Sequence, residues 1–152
     1  MSDDVKDLYQ ELIVDHSKRP HNFGKLEGAD HEATGHNPLC GDKVTVFLKV
    51  EDGTVQDVHF QGVGCAISTA SASLMTERIK GKPVAEAEAL FKEFHDLVTT
   101  GETGPEATEH LGKLQAFSGV KEFPLRVKCA TLAWHTFRAA LHGEEPDLSK
   151  DD

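Results

Sequence analysis

Between residues 44 and 60 apolar side chains fall on alternate positions. Val44, Val46, Leu48 and Val50 share one parity, Asp52-Gly53 supplies a two-residue turn, and Val58 and Phe60 resume the alternation before Gly62. A period of two places these residues on one face of a strand, and Asp-Gly accepts the positive φ angles of the tightest hairpins. The segment therefore predicts an antiparallel hairpin with one apolar face.

The patterns around it are helical. Val5, Leu8, Tyr9, Leu12 and Ile13 recur at helical spacing behind Asp3 and Asp4, and Pro20 bars continuation, which predicts an amphipathic helix ending near Ser17. Residues 20–41 carry Pro20, Gly24, Gly28, Gly35, Pro38 and Gly41 and read as loop, with room for a short strand at 31–36. Small and helix-compatible residues from Ala66 to Lys80 precede Gly81, a good stop. Pro83 opens a further helix with Leu90, Phe91, Phe94, Leu97 and Val98 on one face, broken within residues 100–105. A short helical piece is expected at 108–117. A last helix, after Pro124 and up to Gly143, carries the stripe Leu125, Cys129, Leu132, Ala133, Thr136, Phe137, Ala140 and Leu141. Strands gathered early and helices mostly late give an α+β class. With 152 residues, 38% of them hydrophobic, one domain over 1–152 is expected.

The net charge of -10 is unevenly spread. Residues 86–109 and the tail 144–152 are strongly acidic, whereas residues 110–143 hold Lys113, Lys121, Arg126, Lys128 and Arg138 against Glu122 alone. No basic footprint exists for a phosphate backbone, so nucleic acid is not an expected partner. No apolar run is long enough to span a bilayer, and the acidic start MSDDVKDLYQ is unlike a signal peptide, so a cytoplasmic location without membrane attachment is expected.

Three cysteines are too few for a secreted disulfide scaffold and turn attention to metal or thiol chemistry. Cys40 lies between Pro38 and Gly41, Cys65 follows Gly62 and Gly64 at a strand-to-helix junction, and Cys129 is placed near the start of the last helix. Glycine neighbours let backbone approach an ion, and helix N-termini lower thiol pKa values. The local excess of positive charge favours a thiolate at Cys129. The separations of 25 and 64 residues lack the paired spacing of zinc modules, so spacing alone favours buried core cysteines over a metal site. Asp42, two residues from Cys40, is a candidate fourth ligand, completing a mixed S3O tetrahedron, or else an ordinary turn residue. Among the nine histidines, His31 with His36 reads as loop surface. His16 with His21 straddles Pro20, and His135 and His142 lie seven apart. Neither pair has the i, i+4 spacing of a helical metal site, and both are set aside. Trp134 and Tyr9 read as packing residues.

NPLCGD at 37–42, GVGCAISTASASLM at 62–75, GVKEFPLRVKCATLAW at 119–134 and the opening LYQELIVDHSKRPHNFG at 8–24 together resemble the SufU group of the U-type iron-sulfur assembly proteins. The IscU scaffolds of the same superfamily are similar but carry His directly before the third Cys, where this chain has Lys128. The SufU-like group has Lys there, and a longer segment between the second and third Cys that matches an acidic insertion at about 95–118. The resemblance implies an α+β fold of three antiparallel strands with helices on one side. It implies a zinc-binding sulfur acceptor working with a cysteine desulfurase of SufS type, with Cys40, Asp42, Cys65 and Cys129 as zinc ligands and Cys40 as the sulfur-receiving thiol. Downstream iron-sulfur scaffold proteins are the implied recipients. The alternative is a scaffold on which the same four residues hold a transient iron-sulfur cluster.

Overall fold

Strands β1 (His31–Asn37), β2 (Asp42–Glu51) and β3 (Thr54–Val63) form an antiparallel sheet in the order β1-β2-β3. The predicted hairpin is its β2–β3 half, and Asp52 and Gly53 turn with φ of 51° and 72°, the doubly left-handed conformation that Asp-Gly accepts. The computed structural model describes residues 3–37, 41–101 and 103–143, with side chains from Tyr9 onward. Five helices accompany the sheet: α1 (Asp3–Lys18), α2 (Ala66–Ile79), α3 (Val84–Thr99), α4 (Pro105–Leu111) and α5 (Pro124–His142). The α+β expectation holds. Where a short helical piece was expected at 108–117, the chain forms α4 and then a run of 3-10 turns over Gly112–Glu122.

Val44, Val46 and Leu48 of β2 and Val58 and Phe60 of β3 are buried, as their alternation predicts, and α5 packs along β1 and β2. At β1 the approach is close enough that a Cβ on Gly35 would stand 2.1 Å from Thr136 Oγ1 of α5. The outer edge of β3 is closed by main chain. Phe60 N–H donates to the Asn22 carbonyl, Gly24 N–H to that of Phe60, and Val55 N–H to that of Lys82. These bonds cap an edge that would otherwise invite pairing with other strands.

Helix α2 runs through the interior, with Ser68, Ala70, Ser71, Ala72, Ser73, Leu74, Met75, Thr76 and Ile79 all buried. Its small side chains let α1 and α5 approach on either side, and its buried hydroxyls are satisfied as burial demands. Ser71 donates to the Ala130 carbonyl at 2.5 Å and accepts from Trp134 Nε1 at 3.3 Å. Trp134 is fully buried and stacks on Phe94 at 4.9 Å between ring centroids. Within the acidic insertion Leu111, Leu114 and Phe117 are fully buried and anchor it to the core. Among the described residues no helix is long and apolar enough to cross a membrane.

Candidate metal centre

One end of the sheet meets two helices at Asp42, Cys65 and Cys129. Asp42 is the first residue of β2 and shares the parity of Val44 and Val46, so its carboxylate turns toward the helices and is 1% exposed. Its Oδ1 accepts the Cys65 N–H at 2.9 Å. Cys65 is the N-cap of α2, in extended conformation, and its Sγ accepts the Ser68 N–H at 3.4 Å in the role a Ser or Asp side chain usually fills. Cys129 is supplied by α5 and is buried, whereas Cys65 is exposed. One ligand atom from each of the three lies within 4.8 Å of the others.

Gly64 creates the room. A Cβ there would stand 2.9 Å from Asp42 Oδ1 and 3.2 Å from Ser68 Oγ, so the missing side chain leaves room for the carboxylate. The Cys65 thiol is lowered to about 6. The hydrogen bond from Cys129 is the largest cause, burial opposes it, and the Ser68 N–H supports it, while the Asp42 carboxylate again pushes upward. Cys65, which has the helix N-terminus, is thus drawn toward the thiolate, as the position of its thiol at a helix start leads one to expect, with Cys129 as the donor to it. Cys129 is the sixth residue of α5, past the first turn of that helix, and serves as donor.

The structure thus brings together three of the four sequence-predicted residues. The fourth, Cys40, lies outside the described residues. Gly41, which follows it, donates its N–H to the Asn37 carbonyl at 2.9 Å, with Asn37 paired to Asp42 across the sheet. Sequence reading missed Ser68 and the purpose of Gly64. His16 and His21, set aside on their spacing, nevertheless lie together with Glu77 of α2.

The fit of the donor set to zinc is testable on distance. With Zn–S of about 2.3 Å and Zn–O of about 2.1 Å, a tetrahedral S–O edge is about 3.6 Å. Cys65 Sγ and Asp42 Oδ2 are 3.8 Å apart. Two thiols and a carboxylate at such separations are a zinc-compatible set, with one position left for a further ligand.

Residues 8–141 match the model of the NifU-like N terminal domain. The chain belongs to that family. It is 40% identical over 138 residues to the zinc-dependent sulfurtransferase SufU of Bacillus subtilis, across 91% of this chain and 92% of that protein. It is 42% identical over 134 residues to the iron-sulfur cluster assembly scaffold protein IscU of Streptococcus pyogenes, across 88% of this chain and 82% of that protein. Among solved structures, a SUF-system assembly scaffold protein (FiSufU) from Fervidobacterium islandicum superposes with a TM-score of 0.80 at 39% identity, covering 86% of this chain and 94% of that one. These NifU-like relatives carry both of the names that the sequence motifs resemble.

Proposed function

We propose that the chain serves iron-sulfur cluster assembly as a zinc-dependent sulfur acceptor, taking persulfide sulfur from a cysteine desulfurase of SufS type and passing it to downstream scaffold proteins. The convergence of Asp42, Cys65 and Cys129 from three separate elements is the observation that carries this reading. Cys40, two residues from Asp42 in sequence, is the proposed fourth ligand and the acceptor thiol. Bound zinc would hold the thiols as thiolates without redox chemistry of its own.

The chain's own residues do the rest. A Cys40 thiolate attacks the outer sulfur of the desulfurase persulfide, forming the Cys40 S–S bond as the inner S–S bond breaks, and the desulfurase cysteine leaves as thiolate. No electron is gained or lost overall. Asp42 is the hardest donor of the set and the one best able to exchange, while buried Cys129 and N-capped Cys65 remain in place. Lys128 stands where the scaffold motif has a His ligand, which favours the acceptor over the scaffold reading. The scaffold reading is supported by the IscU names of relatives from Streptococcus pyogenes and Thermotoga maritima.

Metal analysis of the protein as isolated, paired with desulfurase turnover, tests the proposal. One zinc per chain, saturable stimulation of turnover and a persulfide on Cys40 by mass spectrometry are expected, all stimulation being lost in a folded Cys40→Ala variant. A persulfide confined to Cys65 would move the acceptor role there. A brown anaerobic preparation containing sulfide, with no stimulation, would replace the acceptor by the scaffold.

A further inference from the structure

We propose that His16, His21 and Glu77 form a second site, for a first-row divalent metal ion, separate from the cysteine centre. One potential ligand atom from each of these residues lies within 4.8 Å of the others. They come from three places: the last turn of α1, the turn beyond Pro20, and the last turn of α2. Glu77 is twelve residues from Cys65. At ~1.5 Å per residue that is about 18 Å along the helix, too far for one ion to bridge.

The site has the construction of a ligand set rather than a surface coincidence. His16 is 4% exposed, and its Nδ1 is hydrogen-bonded to Ser73 Oγ at 2.6 Å, which fixes the ring; with Nδ1–H as the donor, Nε2 is the nitrogen free to coordinate. The same hydroxyl accepts the His21 N–H at 2.8 Å, so a single serine positions both histidines. Asn22 Nδ2 donates to Thr76 Oγ1 at 3.0 Å and ties the turn to α2 beside Glu77. The His21 ring is already in contact with the Glu77 carboxylate, and the two imidazoles lie 4.5 Å apart between centroids. The other charges acting on His16, Lys113 and Asp15, oppose each other. Two imidazoles and one carboxylate, with His21 exposed, make a three-ligand set with open positions, the donor chemistry suited to Fe2+, Co2+ or Zn2+.

Anaerobic Co2+ is a suitable probe, because thiolate coordination gives intense near-ultraviolet charge-transfer absorption and a His/Glu site does not. Equilibrium dialysis of the wild type should give two Co2+ per chain. His21→Ala, at an exposed position, should lose one equivalent while keeping the charge-transfer band. Cys65→Ala should lose the band while keeping the second equivalent. Ser73→Ala leaves all three ligands and should weaken the second site ~10-fold. A wild-type stoichiometry of one with the charge-transfer band present, or two equivalents that survive both His21→Ala and Glu77→Gln, would overturn the proposal. Loss of the charge-transfer band from wild type alone would count against the cysteine centre instead.

Discussion

Asp42 is assigned two tasks, holding α2 to the sheet and ligating metal, and two substitutions separate them. In Asp42→Ala the part-buried Cys65 N–H loses its acceptor, the 2.9 Å bond to Oδ1, and exposure of the residue keeps the loss toward the low end of the range for orphaned donors. An orphaned buried donor costs ~1–3 kcal/mol. For a chain of this size the melting temperature falls by roughly 2–4 °C per kcal/mol. Asp42→Asn keeps a carbonyl of nearly the same shape facing that N–H, so its metal-free melting temperature should stay close to wild type. Zinc affinity should fall in both variants, because neither has the carboxylate, by more than the ~10–100-fold that losing a hydrogen-bonding partner outside the ligand set would cost. Cys65→Ala or Cys129→Ala should empty the site more completely, thiolate being the stronger donor. The carboxylate also pushes the Cys65 pKa upward, so Asp42→Asn should move that thiol further below about 6. Chelator competition, thermal melts without metal, and the pH profile of Cys65 alkylation read the three effects. Wild-type zinc affinity and an unmoved alkylation midpoint in Asp42→Asn would refute the ligand assignment and leave Asp42 as a structural cap.

The hairpin, the helix starts at Ala66 and Pro124 and the stop at Gly143 were legible because each is set by local chemistry: period-two alternation, an Asp-Gly turn, a proline, a left-handed glycine. The 3-10 run over Gly112–Glu122 was not, since its apolar residues Leu114, Phe117 and Val120 recur every three positions and are held by tertiary burial rather than helical propensity. At the metal centre, residue types announced the ligands, but the identity of the thiolate depended on which cysteine caps a helix and which donates to it. That is a distance between α2 and α5, with no counterpart in the spacing of 64 residues. The meeting of His16 and His21 at Glu77 was not legible for a related reason. A helical i, i+4 test is meaningless across Pro20, where the turn, pinned to Phe60 through Asn22, decides what the rings face.

In metal-free protein the Cys65 thiol, lowered to about 6 from an ordinary 9.0, should alkylate with a midpoint near 6. Because its folded pKa is depressed, the stability it contributes is fully present above the ordinary value and is lost as pH falls through about 6, which pH-dependent melts of wild type and Cys65→Ala would read. The last expectation concerns docking on the proposed desulfurase. Arg126 is exposed, its guanidinium 4.4 Å from the Phe123 ring centroid, and Phe123 and Leu125 are exposed apolar neighbours in the segment that leads to Lys128 and Cys129. Positive charge and apolar surface beside the proposed centre suit an acidic partner, whereas the acidic tail 144–152 would repel it. Arg126→Glu, at an exposed position, should leave folding and zinc content intact and slow association several-fold at 0.1 M salt, where the Debye length is ~10 Å, with the difference shrinking toward 1 M, where it is ~3 Å. Lys128→Glu should act in the same direction, and deleting 144–152 should not weaken association. Stopped-flow association rates against salt measure all three. A rate for Arg126→Glu equal to wild type at low salt, with a large loss on tail deletion, would transfer the docking role from the start of α5 to the tail.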